Sequence, residues 1–461
     1  MLSFAVDTSQ VVGSTFWSAD GDSAPMSPVA RYDFTRPVLG ALVDELSPAY
    51  LRIGGTDADR TYYDLSASPV TTPPAGYKWV LDHTIWDAAA DFARTHDLEL
   101  LFALNAGAGP RDAKGAWTSD NARALLSYAA GRQDPVETWE LGNEINAYPF
   151  VFKITVTPEQ YAADVGVART LVDAVTPGAH LAGPADAYFP LAGELGSELP
   201  AIVQLAGAEL DVVTWHYYPQ QSTRCPAQLT PATPGYLLAS APLAEVETWA
   251  KQVLTARTTN APKADVWLGE TGNAQCGGAP GISNTFESSL WWLDQLGRLA
   301  ALGVSVQVRQ TLSGSDYGLI DDATLTPRPD YWASVLWKRL MGTTVLAVAP
   351  ASSTAPKATS VYAHCAKGVT GGVAVVYVNY GDEPLDIDVG LPGSHDEYVA
   401  TPGTSDLVTS SDVKFNGELP GVDASGHVTL ARPRSRKGAV SLPARSYAFA
   451  TFAHAGAAAC H

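Results

Sequence analysis

Over roughly its first 340 residues the chain alternates short apolar runs with amphipathic stretches of helical period, a rhythm that few folds accommodate. The runs are Ser3–Asp7, Ala49–Gly54, Glu99–Asn105, Val136–Leu141, His180–Gly183, Leu210–Tyr217, Ala264–Gly269 and Val304–Leu312. Short, nearly continuous apolar runs separated by helices are the sequence form of successive β-α units, because parallel strands are covered on both faces. Eight of them predict an α/β fold, a closed (β/α)8 TIM barrel. Helix starts fall between them: Thr35 with Pro37, Ser119-Asp120, and Thr157-Pro158-Glu159. Between Ser283 and Leu302, Phe286, Leu290, Leu293, Leu296 and Leu299 recur at steps of three and four, a stripe that packs on a barrel. Trp291 and Trp292 beside it read as core or interface.

Beyond Gly342 the helical period is lost. Ser360–His364, Gly372–Asn379, Leu385–Val389, His427–Leu430 and Ser446–Phe452 are short strands set off by Gly, Pro, Ser and Asp, which predicts a C-terminal antiparallel β-sandwich. The expected domains are 1–341 and 342–461. With 46% hydrophobic and 17% charged residues the chain can bury both cores, and disorder is excluded. No apolar run approaches the roughly 20 residues that span a bilayer. The first residues already read as a strand, so a secretory leader is expected to be absent or removed.

A net charge of -19 argues against a general surface for nucleic acid or anionic membranes. An anionic substrate has to be met locally. Cysteines 225, 276, 365 and 460 lack the paired spacing of a zinc site. Two disulfides suit an exported protein, and free thiols suit a cytosolic one. No metal or cofactor is expected, and a monomer is.

In a parallel barrel the active site lies at the carboxyl ends of the strands. Trp139-Glu140-Leu141-Gly142-Asn143-Glu144 closes the fourth run and Val266-Trp267-Leu268-Gly269-Glu270 the seventh. Glycoside hydrolysis needs such a pair: one carboxyl protonates the leaving oxygen, while the other attacks or activates water at the anomeric carbon. Asn143 is placed to hydrogen-bond a sugar 2-hydroxyl. Either acid alone reads equally well as a rim carboxylate; two acids at strand ends four and seven point to a glycosidase. Retention of configuration requires the carboxyls to lie about 5 to 5.5 Å apart.

Leu51-Arg52-Ile53-Gly54-Gly55-Thr56, Trp139–Glu144 with Asn146, Val213–Tyr218, Leu268–Thr271, Val308-Arg309-Gln310, Pro329-Asp330-Tyr331-Trp332 and Leu442–Tyr447 follow one another along nearly the whole chain. In order and spacing they resemble glycoside hydrolase family 79, the heparanases and β-glucuronidases. The resemblance implies a retaining endo-β-glucuronidase that cleaves glucuronic acid to glucosamine linkages in heparan sulfate. A terminal β-glucuronidase is the alternative, and a non-catalytic carbohydrate-binding protein a more distant one. It implies Glu144 as acid/base and Glu270 as nucleophile, with Asp7, Thr56 and Asn143 on the glucuronate hydroxyls. The loop Ala274–Gly278, through the backbone at Cys276 and Gly277, would hold the uronate carboxylate together with Tyr317. Backbone donors in a concave turn can do this without a basic protein.

Cys276 stands where the family's loop has glycine. His216 and Tyr218 are expected to face the site, Tyr218 as a donor to the nucleophile; the alternative is that Trp215, Tyr217 and Tyr218 only pack the barrel mouth, which is the reading for Trp215. Gln310 is expected to support the nucleophile, and Arg309 either to face substrate or to pair with a rim carboxylate. Arg60, Lys153 and Arg224 are candidate sulfate contacts, or else solvated charges. The resemblance implies a Cys365–Cys460 bond; a Cys225–Cys276 bond would stiffen the carboxylate loop. Heparanases of the human type carry a long excised segment early in the barrel, but here Tyr63-Asp64 reaches Trp79 through a short Pro-rich loop. The cleft is therefore expected to be open without proteolysis. A secreted or periplasmic location follows from the substrate and the cysteines.

Overall fold

All six residues of the first strand, β1 (Leu2–Asp7), are buried, which fits a strand covered by helices outside and side chains inside. Seven more parallel strands follow: β2 (Ala49–Gly54), β3 (Leu98–Leu104), β4 (Val136–Leu141), β5 (His180–Phe189), β6 (Val212–Tyr217), β7 (Asp265–Thr271) and β8 (Val306–Arg309). Each pairs with the next, and β8 returns to β1 through Leu2 opposite Gln307, so the barrel closes. The computed structural model describes residues 1–461 apart from 20–23, 191–192, 195–197, 349–357 and 405–409. Ala5, Leu101, Ala182, Val212, Trp267, Val306 and Val308 fill its interior as a single apolar cluster.

Strands β5 and β8 differ in length from the sequence expectation. The run expected to end at Gly183 continues as β5 to Phe189. The register against β6 slips so that Ala185, at φ 58°, is bulged out between Pro184 and Asp186. A bulge is where a strand tolerates a proline, which has no N–H for the ladder. At the other extreme, β8 is shorter than expected and leaves the ladder after Arg309.

The outer ring consists of α1 (Pro37–Asp44), α2 (His83–Thr95), α3 (Asp120–Arg132), α4 (Pro158–Val175), α5 (Glu198–Ala206), α6 (Ser240–Asn260), α7 (Phe286–Leu302) and α8 (Pro329–Leu340), one after each strand. The start of α4 is the one read from the sequence: Pro158 sits in the first turn and the Thr157 hydroxyl accepts from Gln160 N–H. Among the described residues no helix is long and apolar enough to cross a membrane.

At Met341 the last helix passes directly into an antiparallel sheet. Its strands are β9 (Met341–Leu346), β10 (Thr359–Ala366), β11 (Val373–Asn379), β13 (Ser394–Pro402), β14 (Val413–Phe415), β15 (Arg434–Lys437) and β17 (Ser446–Phe452), in the order β9-β10-β11-β17-β13-β14, with β15 also on β13. A small second sheet, β12 (Leu385–Ile387) with β16 (Val440–Leu442), covers one face, burying Val440 and Leu442 against Val375, Tyr377 and Ala450. The opposite face, with Val376, Tyr447 and Phe449, shares one core with the barrel helices, and Phe286 of α7 stacks on Tyr447 at 5.5 Å. The sandwich is therefore lopsided, and its larger sheet uses the barrel as its main cover. Trp291 and Trp292 are buried in that shared core. Cys365 and Cys460 are bonded, tying β10 to the last turn of the chain.

Candidate active site

Arg52 projects from the middle of β2 and is completely buried. Its guanidinium donates to Glu140 Oε2 at 2.8 and 2.9 Å, to Glu270 Oε2 at 2.8 Å and to Asn143 Oδ1 at 2.9 Å, and it lies 3.4 Å from His216 Nε2. Burial alone would lower the pKa of such a group, but Glu140 and Glu270 outweigh it and hold Arg52 charged. The local sequence makes room for it. A β-carbon at Gly54 would come within 2.6 Å of Arg52 Cζ, and one at Gly55, which adopts φ 106°, would strike the Asp7 carboxylate. This explains the paired glycines after β2.

After β4 the chain turns through two left-handed residues, Gly142 at φ 77° and Glu144 at φ 53°. Glu144 N–H is held by Ala185 O at 3.0 Å, so the bulge in β5 anchors the turn that carries this acid. Burial pushes the Glu144 carboxyl up to about 7, against the opposing pull of Arg52. His216 Nδ1 lies 3.3 Å from Glu144 Oε1. Burial, with Arg52 adding to it, pushes His216 down to about 4 despite Glu270, so the ring is neutral. Arg52 can only donate, so Nε2 is the acceptor and Nδ1 carries the proton that faces Glu144.

Glu270 sits opposite, near the end of β7. It accepts from Arg52 on one oxygen and from the Tyr218 hydroxyl on the other at 2.7 Å. One oxygen of Glu144, one of Glu270 and a ring nitrogen of His216 all lie within 4.8 Å of one another. A trio this close has metal-ligand spacing, but here the buried guanidinium supplies the positive charge.

Around this pair the chain arranges a polar pocket. Asp7 caps the short helix Thr8–Val12, accepting from Ser9 N–H at 2.9 Å and Ser9 Oγ at 2.7 Å, and takes Gln310 Nε2 on its second oxygen at 2.9 Å. Burial, reinforced by Glu270, raises its pKa to about 7. Gln310 was expected beside the nucleophile; the structure bonds it to Asp7. Thr56 opens the turn that follows Gly55. Asn143 uses its carbonyl on Arg52 and on Gly55 N–H at 3.1 Å, which leaves the NH2 end as its donor.

Cys276, Gly277 and Gly278 occupy three successive left-handed positions, at φ 61°, 85° and 82°. Cys276 is bonded to Cys225. Gly277 O receives the N–H groups of Asp316 and Tyr317, and a β-carbon there would strike Ser315 and Trp17. The Tyr317 ring packs with Phe16 and Tyr218.

The three candidate sulfate contacts fare differently. Arg224 is not a loose cation: it donates to Gly278 O at 2.8 Å and pairs with Asp316 at 2.6 Å, bracing the glycine loop from below with 10% of its side chain exposed. Arg60 pairs with Asp57 at 3.0 Å and lies over the Phe152 ring. Lys153 is exposed and donates to Phe150 O. Arg309 is a structural partner, fully buried on Asp330 at 2.8 Å and over Trp291 and Trp292.

Sequence reasoning passed over Arg52, Glu140 and Asp59. Asp59 accepts from Ala106 N–H and Asn143 N–H, joining the ends of β3 and β4 to the loop after β2. The missed signal was an arginine, Arg52, inside a run without other charges, and an acid, Glu140, between Trp139 and Leu141, where an unpaired buried charge is too costly to keep.

Residues 22–297 match the family model of the glycosyl hydrolase family 79 N-terminal domain. The chain belongs to glycosyl hydrolase family 79. Among family 79 relatives, mouse heparanase is 30% identical over 92% of this chain and 87% of its own length. Baicalin-β-D-glucuronidase of Scutellaria baicalensis is 30% identical over 90% and 82%. Heparanase-like protein 1 of Arabidopsis thaliana is 31% identical over 77% of this chain and 66% of its own. The barrel with its appended sheet recurs in a 4-O-α-L-rhamnosyl-β-D-glucuronidase from Fusarium oxysporum, with a TM-score of 0.68 at 19% identity over 98% of this chain and 95% of that one. An α-L-arabinofuranosidase from Thermotoga maritima gives 0.61 at 16% over 97% and 99%. At those identities the likeness is one of fold. As a family 79 member the protein is a glycoside hydrolase.

Replacing Arg52 by Met strands two buried carboxylates, and a loss of about 3 to 5 kcal/mol in unfolding free energy is expected. Adding Glu140→Leu should return part of that stability without returning activity. A single Arg52→Met variant as stable as the parent in denaturant unfolding would contradict the pairing.

Proposed function

We propose that this family 79 enzyme hydrolyses β-glucuronides by double displacement, with Glu144 as acid/base and Glu270 as nucleophile. The observation that carries the reading is two carboxyls within 4.8 Å in unlike surroundings. Glu144, with a pKa raised to about 7, holds a proton where a typical carboxyl has lost it. Glu270 presents both oxygens to donors. An inverting pair stands about 6.5 to 9.5 Å apart to admit water between acid and base.

In the first step Glu144 protonates the leaving oxygen as a Glu270 oxygen bonds the anomeric carbon and the glycosidic bond breaks. In the second, water adds to that carbon, Glu144 takes its proton, and the bond to Glu270 breaks. Arg52 and Tyr218 keep the nucleophile aimed, and the neutral His216 orients Glu144 without adding charge. The left-handed turn Cys276–Gly278 offers backbone donors for the uronate carboxylate beside Tyr317, braced by Arg224 and the bond to Cys225.

Likeness to mouse heparanase over most of both chains supports internal cleavage of a glucuronic-acid-containing glycan such as heparan sulfate. A second reading, removal of a terminal glucuronate, is favoured by the internal pairing of Arg60 and Arg224, which leaves Lys153 as the exposed cation among the three. Two disulfides support an exported enzyme.

Products from heparan sulfate and from an aryl β-glucuronide discriminate: internal fragments support the endo reading, free glucuronic acid alone the terminal one, and no cleavage of either would sink the proposal. The pH profile gives a second test. Because Glu144 must enter the reaction protonated and its pKa is raised, kcat/KM is expected to fall as pH rises through about 7. With an activated aryl glucuronide, Glu144→Gln should abolish that limb; a limb kept at the same midpoint would remove Glu144 from the acid role.

A further inference from the structure

On the far side of the molecule's charge balance, the C-terminal sheet carries a strip of opposite sign. Arg432, Arg434, Arg436 and Lys437 fall within six residues, in a chain where 48 acids outnumber 29 bases. Residues 432–439 are all exposed, and none of them is acidic. Among the described residues strand β15 is an outer strand, paired only to β13 through Ser394–Glu397. Alternation puts Arg434 and Arg436 on one face about 7 Å apart. Pro433 holds the backbone extended so that Arg432 precedes them in line.

Little inside the protein uses these charges. Arg434 donates to Asn416 O, and Arg436 stands 3.8 Å from Glu397. Among the described residues the side chains of Arg432 and Lys437 make no ion pair or hydrogen bond. A few charges on an outer strand discourage pairing with another chain. That purpose does not call for four cations of one sign, which repel one another.

We propose that this strip is a binding site, separate from the cleft, for a sulfated glycan chain. A row of solvated guanidinium groups offers forked donors at intervals along a line, which suits sulfates on a linear polymer. Basic runs of this length are anion patches by charge density alone. The strip has no aromatic ring on which a nucleobase could stack and no apolar side chain larger than alanine or proline to enter a bilayer. Its effect is to raise the concentration of polymer near the enzyme whether cleavage is internal or terminal.

The test uses the full chain and dextran sulfate, a sulfated glucan without uronate for the cleft, in about 0.15 M salt. Combining Arg432→Ser, Arg434→Thr, Arg436→Thr and Lys437→Ser is expected to raise Kd about tenfold or more, with hydrolysis of a small aryl β-glucuronide unchanged. Combining Lys114→Gln, Arg123→Gln, Lys251→Gln and Lys263→Gln alters net charge equally and should leave Kd within about twofold. If the strip variant misfolds by thermal melting, the pair Arg432→Ser and Lys437→Ser, whose side chains hold no partner, gives a smaller loss of the same sign. Unchanged binding in the strip variants, an equal loss in the comparison variant, or tighter binding of the parent to single-stranded DNA or anionic phospholipid vesicles would overturn the proposal.

Discussion

A guanidinium buried without water is tolerable only if its charge is answered, and Arg52 is answered by Glu140 and Glu270 together. That requirement links four strands. Arg52 comes from β2, Glu140 from β4, Glu270 from β7 and the neighbouring His216 from β6, so their side chains meet at one point in the barrel mouth. Asn143 joins through the same guanidinium. An arrangement of this kind favours catalysis because the charges are fixed before substrate arrives, in a largely buried site where they act more strongly than in bulk water. Buried ion pairs seldom add net stability against apolar packing, so this network is better understood as a positioning device.

The unlike surroundings of the two acids follow from that network. Glu270 shares directly in the charge of Arg52, whereas Glu144 stands one residue beyond, reached by a neutral histidine. Burial acts on Glu144 against only the pull of Arg52 and raises its carboxyl to about 7. In the proposed mechanism, two identical side chains would take opposite roles because one cation is set nearer to one of them. The outer pocket is organised by backbone more than by charge: a bulge at Ala185 seats the Glu144 turn, and three left-handed residues shape the loop at Cys276.

Much of the fold was legible in the sequence because parallel strands covered on both faces need largely apolar runs, and eight such runs correspond to the eight barrel strands. What stayed hidden depended on partners distant in the chain. The extension of β5 past Gly183-Pro184 rests on a register slip against β6. Strand β13, Ser394–Pro402, has no apolar alternation to read at its start, because the buried alternate positions are His395 and Glu397 on either side of the exposed Asp396. The sequence pointed to Glu144, Glu270, Asn143, His216 and Tyr218, and the structure brings these together. It gave Arg224 no inward role, since its partners Gly278 and Asp316 lie 54 and 92 residues away. The burial of Arg52 had a local sign, an arginine amid apolar neighbours, whose meaning required the carboxylates of two other strands.

The central claim is that Glu270 attacks the anomeric carbon while Glu144 gives and takes the proton. An activated 2-deoxy-2-fluoro-β-glucuronide slows the second displacement more than it prevents the first, so a covalent intermediate accumulates for mass spectrometry of the digested protein. One added glycosyl group is expected, located on the peptide at Glu270 and absent from Glu270→Gln. A glycosyl group on any other carboxylate, or turnover of the parent substrate with inversion and no adduct, would contradict it.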